Sequence, residues 1–403
     1  MKDIANIMNE TYNSINPSKT NEFIITWDTG KRCNFDCGYC GDDRHDLVSK
    51  FPDFDELVKG VDFIKKYLTV MMPHRNNQVA TLSLTGGEPT VNPNFLRLAT
   101  YLNDQFKDFE YEVKTILTTN GSFPQKNIQH LVDNFRGITL SYHCDSKEKL
   151  KEKVRENILI LHKSMKSFKV NLMMHPYDNY WQECLDLIDV MDEHKVKYVP
   201  RVINGLKYSP EQSEFLTNYW QRKNKTKTEI KVEKVESKPQ EVKKENVIHR
   251  KMKKDVEKTF NELRKDETKT NVIHGRHCCS KHELSCGSMC GSTQNLTYVT
   301  DTRFPEWYCG VNWFFLHLES QTDQIFHHQT CQAQFGKGRG AVGKISEWTT
   351  FTDKVETMIN TGKMETIQCP NKKCGCGLCA TKSIDKNMFN NLMSNHIKDV
   401  TYV

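Results

Sequence analysis

The chain has 403 residues, too many for one small core and enough for a large domain with a smaller one beside it. Hydrophobic residues make up 37% and charged residues 27%, and no apolar run reaches the ~20 residues that span a bilayer, which argues against a helical membrane protein. The net charge of +6 is weak evidence of a nucleic-acid partner, because residues 221–270 alone carry a surplus of about seven basic groups.

Met1 to Thr20 is polar and has no apolar signal core. The expected setting is therefore the cytoplasm or another reducing compartment. There, clustered cysteines bind metal or do redox chemistry rather than form disulfides. Of the fifteen cysteines, Cys144 and Cys184 stand alone and read as small apolar residues.

In chain order, Phe23 to Trp27 predicts a strand and Phe54 to Leu68 a helix. Ala80 to Leu84 is a second strand, with a helix near 94–106. Glu112 to Thr118 is a third, with a helix near 125–135. Ile138 to Tyr142 is a fourth, followed by a long amphipathic helix to about Met165. Lys169 to Met174 is a fifth, Tyr180 to Glu193 is helical, and Tyr198 to Ile203 is a sixth strand. This alternation predicts an α/β fold with a parallel sheet. Six units suit a partial (β/α)6 TIM-type barrel, although periodicity alone does not separate it from an open doubly wound sheet.

The domain boundaries follow composition: an N-terminal segment 1–20, a barrel 21–210, a charged linker or insertion 211–275, and a cysteine-rich α+β extension 276–403. Lys223 to Lys244 is rich in Lys and Glu and cannot bury enough apolar surface to offset its ordering entropy. It reads as a solvated spacer, with a basic arm for an acidic partner as the second reading. In the extension, Trp313 to Leu318 and Gln324 to Phe326 form a hairpin-like pair, and Trp348 to Ile359 reads as helix.

The first strand runs into Cys33-Asn34-Phe35-Asp36-Cys37-Gly38-Tyr39-Cys40. Three thiolates in one loop can hold a cubane cluster and leave one iron open. A zinc ion with His45 as fourth ligand is the other reading. The second strand runs into Thr85-Gly86-Gly87-Glu88-Pro89. A Gly-Gly pair lets backbone approach a ligand closely, and Glu88 is suited to an ammonium group; a plain turn is the alternative. At the other end of the chain, Cys309, Cys331, Cys369, Cys374, Cys376 and Cys379 are spaced by Gly and Pro, which favours a metal site. Structural zinc competes there, as it does at Cys278, Cys279, Cys286 and Cys290.

The C-x3-C-x2-C spacing with Tyr39 before the last cysteine, and Thr-Gly-Gly-Glu-Pro at the next strand end, resemble the radical S-adenosylmethionine superfamily. That resemblance implies a [4Fe–4S] cluster on Cys33, Cys37 and Cys40, with S-adenosylmethionine bound at its open iron. It places Tyr39 near the adenine, and Gly86, Gly87 and Glu88 near the methionine amino group. Asn120, in the Thr118-Thr119-Asn120-Gly121 turn, falls near the cofactor and Ser141 near the ribose. Ser141 also reads as a satisfied polar residue; Met173, His175 and Arg201 fall at strand ends that face the cofactor in such barrels, with core packing or a surface salt bridge as the other reading. Cys144-Asp145-Ser146-Lys147 departs from a His-Asp-x-x-Arg pattern of related peptide-modifying enzymes.

The C-terminal cysteines resemble SPASM or Twitch extensions, which implies an auxiliary iron–sulfur cluster. The implied activity is reductive cleavage of S-adenosylmethionine to a 5′-deoxyadenosyl radical. An electron donor such as flavodoxin or ferredoxin is the implied partner. Substrate readings are a peptide or protein, a small molecule, or RNA. A zinc-binding adaptor with a non-catalytic barrel is the reading from another class.

Overall fold

Six strands follow one another in space in the order of the sequence: β1 (Phe23–Asp28), β2 (Val79–Thr85), β3 (Glu112–Thr119), β4 (Gly137–His143), β5 (Phe168–Met174) and β6 (Tyr198–Val202). Every neighbouring pair is parallel. These relations come from a computed structural model that describes residues 14–15, 22–41, 45–203, 205–225, 307–329, 332–370 and 380–403. Between the strands run α1 (Phe54–Met71), α2 (Phe95–Phe106), α3 (Ile128–Asn134), α4 (Glu148–Ser164) and α5 (Asp178–Glu193). A right-handed crossover that always steps the same way puts every helix on one face of the sheet. An open doubly wound sheet would reverse its strand order instead, so the topology is that of a partial barrel.

Register shows what each face carries. Phe23, Ile25 and Trp27 alternate with Ile24, Thr26 and Asp28 along β1, and Trp27 faces α1, where a Cβ on Gly60 would lie 2.6 Å from the indole. The opposite face is the inner one. In register it carries Thr26 and Ser83, and further round Ser141, Asn171 and Arg201. Thr26, Ser83, Asn171 and Arg201 are buried despite their polarity, as the inside of a closing sheet requires. Helix α1 starts at a capping box, in which Asp53 accepts from Glu56 N and Glu56 accepts from Asp53 N.

The chain divides into two units, residues 1–203 with 277–403, and residues 204–276. In the first, the C-terminal hairpin does not stand apart from the barrel sheet. Strand β7 (Phe315–Glu319) pairs parallel with β1, and β8 (Gln324–Phe326) and β9 (Gly343–Lys344) extend the sheet antiparallel from it. Helix α7 (Trp348–Asn360) covers α1, with Phe351 stacked on Tyr67 at 5.8 Å. Buried Arg75 joins the two ends of the chain. It donates to Trp313 O and, at 3.3 Å, to Asn77 O, with the Phe23 ring 5.3 Å from its guanidinium. In the second unit the described residues form a helix, α6 (Pro210–Lys225), that the composition did not suggest. Ser209 Oγ accepts from Gln212 N while Gln212 Oε1 accepts from Ser209 N, a capping box sufficient to start a helix in polar sequence. No helix among the described residues is long and apolar enough to cross a membrane.

His327, just after β8, is buried against Phe335 and Phe351, and neither ring nitrogen has a partner. Burial pulls its pKa down to about 3. The folded value lies below the unfolded one, so this site favours folding above about pH 6.5 and weakens it as pH falls toward 3. Between pH 7 and pH 5 the wild type should lose about 2 kcal/mol more stability than His327→Leu, measured by urea unfolding. Parallel pH profiles of the two proteins would show that His327 plays no part.

Candidate active site

The cysteine loop leaves β1 at Thr29 and is held on both sides by backbone hydrogen bonds. Thr29 N donates to Thr85 O at 2.9 Å, Gly87 N to Gly30 O at 2.8 Å, and Glu88 N to Arg32 O at 3.0 Å. On the far side Asp46 N donates to Lys31 O at 3.1 Å and Cys33 N to Asp46 O at 2.7 Å. The glycine pair is needed for this seam. Gly86 has φ +129°, and a Cβ on Gly87 would sit 2.1 Å from Lys31 O. The close approach expected toward a ligand is thus an approach to the chain's own cysteine loop.

Of Cys33, Cys37 and Cys40, Cys37 is buried and the other two are half-buried. Cys40 N donates to Cys37 O at 3.0 Å, so the last two cysteines share a turn. The three sulfurs do not all fall within 4.8 Å of one another. Ligands of one tetrahedral zinc would stand about 3.8 Å apart, given Zn–S bonds of about 2.3 Å. The spacing therefore suits a larger, multinuclear group. His45 is buried but joins none of the three-ligand groups among the described residues, so the zinc reading lacks its fourth ligand here. Burial pushes the Cys33 thiol up to about 11 and the Cys37 thiol further, so binding a metal centre must release protons.

Around the loop, Asn120 Nδ2 donates to Asn34 Oδ1 at 2.9 Å and approaches Cys33 Sγ at 3.9 Å. Asn34 Nδ2 in turn donates to Ser122 Oγ at 2.8 Å. Glu88 is buried, and its carboxylate accepts from Thr90 N, Thr90 Oγ1, Thr119 Oγ1 and Asn120 N. Across the inner face, Tyr39 Oη lies 2.6 Å from His143 Nδ1, with the two rings stacked, and Cys37 Sγ lies 3.4 Å from the same nitrogen. Burial lowers the His143 pKa to about 4, keeping the ring neutral. Ser141 is half-buried on the inner face and makes no side-chain hydrogen bond to a described residue. Met173 stands opposite His143 and Arg201 opposite Met173, while His175 is buried beside Tyr177 and Tyr180.

His143 is the residue that the sequence reading passed over. It ends β4 two positions beyond Ser141, and a period of two would have placed it on the same face. Cys144 and Cys184 are buried together, both donating to Met173 O, as small apolar residues would be.

In the extension, Cys309 N donates to Ile367 O and Cys369 N to Trp307 O, each at 2.8 Å. This antiparallel bridge puts Cys309 and Cys369 on one face as diagonal neighbours, both buried. Cys331, Cys374, Cys376 and Cys379 lie outside the described residues, as do Cys278, Cys279, Cys286, Cys290 and most of the charged insertion.

Residues 27–189 match the family model of the Radical SAM superfamily. No curated protein matches. Among solved structures, native anSMEcpe with bound AdoMet and Cp18Cys peptide aligns with 51% of this chain and 62% of its own, at 16% identity and a TM-score of 0.40. Native anSMEcpe with bound AdoMet aligns over the same shares at 17% identity and a TM-score of 0.39. SeMet BtrN in an open conformation aligns with 31% of this chain and 52% of its own, at 16% identity and a TM-score of 0.24. The alignments thus span less than two thirds of these structures.

Proposed function

We propose that the chain is a radical S-adenosylmethionine enzyme acting on a C–H bond of its substrate. The observation that carries this is the seam itself. Three cysteines, whose sulfurs do not all fall within 4.8 Å of one another, sit on a loop that the Gly86-Gly87 backbone pins to the end of the next strand. Cys33, Cys37 and Cys40 would hold a [4Fe–4S] cluster, and the inner face beside them would hold S-adenosylmethionine. When bound, the pair would supply a 5′-deoxyadenosyl radical for hydrogen abstraction, with one electron taken from an external donor through the cluster and methionine released.

The protein's own part is positioning. Asn120 fixes the cysteine loop through Asn34. Tyr39, held by His143, offers a ring edge for the adenine. Ser141 keeps its hydroxyl available for the ribose. The buried inner face excludes water from the reacting carbon.

Cys309 and Cys369, buried on one face of their bridge, would supply two ligands of an auxiliary cluster, with the remaining ligands from Cys331, Cys374, Cys376 and Cys379. An auxiliary centre favours a peptide or protein substrate over a small molecule or RNA.

The test is anaerobic reconstitution followed by reduction with dithionite in the presence of S-adenosylmethionine. The expected result is 5′-deoxyadenosine, from a brown protein with about four irons at the N-terminal site and more at the C-terminal one. A colourless protein that binds only zinc and yields no 5′-deoxyadenosine would support the adaptor reading.

A further inference from the structure

A second constellation stands on the inner face, and it contains no cysteine. Asp28 ends β1, and β7 lies parallel beside it, with Glu319 opposite Asp28 and His317 opposite Thr26. Parallel partners project to the same side, so all three side chains point inward. His317 Nε2 lies 3.2 Å from Glu319 Oε1 and 3.7 Å from Asp28 Oδ2. One ligand atom from each residue falls within 4.8 Å of the other two.

The surroundings leave these atoms short of donors. The His317 ring is 1% exposed. A single Nε2–H can serve Glu319 or Asp28, not both. Asp28 Oδ1 is buried without a partner, and so is His317 Nδ1. The two carboxylates are nonetheless held in place. Gln329 Nε2 donates to Asp28 Oδ2 at 3.1 Å, and Thr322 Oγ1 donates to Glu319 Oε2 at 3.0 Å. The hydrogen bond from His317, with smaller contributions from Thr322 and the Lys31 charge, holds the Glu319 carboxyl below its ordinary range despite burial. Two oriented carboxylates converging on a buried imidazole form a donor set in want of a cation. Ordinary packing on a strand would put an apolar residue where His317 stands, as it does at Leu316 and Leu318 on the other face.

We propose that Asp28, His317 and Glu319 bind a divalent cation. Two carboxylate oxygens and one imidazole nitrogen suit Mn²⁺, Fe²⁺ or Mg²⁺ better than a thiophilic ion. The site is chemically distinct from the cysteine centres. It lies at the strand ends, with Asp28 beside Thr85 and one residue from the Gly86-Gly87 seam. Three protein ligands leave coordination positions open. A cation there would hold an anionic group of the substrate, a carboxylate or phosphate, at the mouth of the barrel. This goes beyond S-adenosylmethionine cleavage and stands whether or not that reading holds.

Mn²⁺ is the probe, because it avoids thiolates and its free-ion electron paramagnetic resonance signal disappears on binding. The full chain, purified without oxygen and cleared of loose metal, should take up one Mn²⁺. The near-isosteric variants Asp28→Asn and Glu319→Gln should each weaken binding at least about 10-fold, and Gln329→Leu, which frees Asp28, by about 10-fold. Cys37→Ala should leave Mn²⁺ binding unchanged, which separates this site from the cluster. As a second readout, Mn²⁺ should raise the melting temperature of the wild type and not that of Asp28→Asn. Absence of Mn²⁺ uptake by the wild type, or uptake by the carboxamide variants equal to it, overturns the proposal.

Discussion

Gly87→Ala is expected to abolish S-adenosylmethionine cleavage as completely as Cys37→Ala, although residue 87 offers no side chain to any ligand. The added Cβ would lie 2.1 Å from Lys31 O and 2.5 Å from Arg32 O. Both are backbone atoms, so no rotamer change relieves the clash and the loop itself must move. Moving it breaks the hydrogen bonds from Gly87 N to Gly30 O and from Glu88 N to Arg32 O. Cys33 follows Arg32 directly, so the first proposed cluster ligand moves as well. A displacement of about 1 Å at reacting groups costs roughly 100-fold in rate, and a misplaced ligand also lowers iron occupancy. Gly38→Ala is the control in the same loop: a Cβ there meets nothing within 4 Å and the backbone is not left-handed. Iron content and 5′-deoxyadenosine formation should collapse in the first variant and survive in the second. A Gly87→Ala protein with full iron and a rate within about threefold of wild type would remove the seam from the mechanism.

The barrel was legible because its signals are local. A strand of period two and a helix of period 3.6 each declare themselves over a dozen residues, and six of the strands fall within one or two residues of where the pattern put them. The cysteine and glycine motifs were legible for the same reason. What escaped depends on contacts between distant parts of the chain. The pairing of β7 with β1 joins residues about 290 positions apart, and nothing in Phe-Leu-His-Leu-Glu says which sheet it enters. The Asp28, His317 and Glu319 constellation exists only through that pairing. Helix α6 was hidden by the charged stretch that follows it: the Ser209–Gln212 capping box starts it, and its apolar stripe is short, Phe215, Leu216, Tyr219 and Trp220. Glu88 was visible as a carboxylate beside two glycines, but two of the four groups that fill its oxygens, Thr119 Oγ1 and Asn120 N, come from β3 and the turn after it.

Those groups decide what Glu88 does. Oε1 accepts from Thr90 N at 3.1 Å, Thr90 Oγ1 at 2.5 Å and Thr119 Oγ1 at 2.7 Å, and Oε2 from Asn120 N at 2.6 Å. Burial raises the Glu88 pKa and these four bonds lower it, with burial the larger effect. The side chain thus joins the glycine seam to the turn whose Asn120 braces the cysteine loop through Asn34. Glu88→Gln keeps the shape but removes the charge and turns an NH₂ toward a donor. Hydrogen bonds to a charged group contribute about 1.5–3 kcal/mol each, and an unpaired buried donor costs a further 1–3 kcal/mol. Removing the charge also relieves its burial cost, so the net loss should be about 1–3 kcal/mol of stability before any cofactor is added, seen as a lower urea midpoint of the apo chain. Its loss of S-adenosylmethionine cleavage should follow from the disturbed loop, with iron content falling in step. If Glu88 serves mainly to hold the methionine ammonium, the same variant keeps its urea midpoint and its iron and loses only affinity for S-adenosylmethionine. Oε2, with one donor, is the only oxygen with room for that contact, and the two outcomes separate a residue that builds the site from one that touches its ligand.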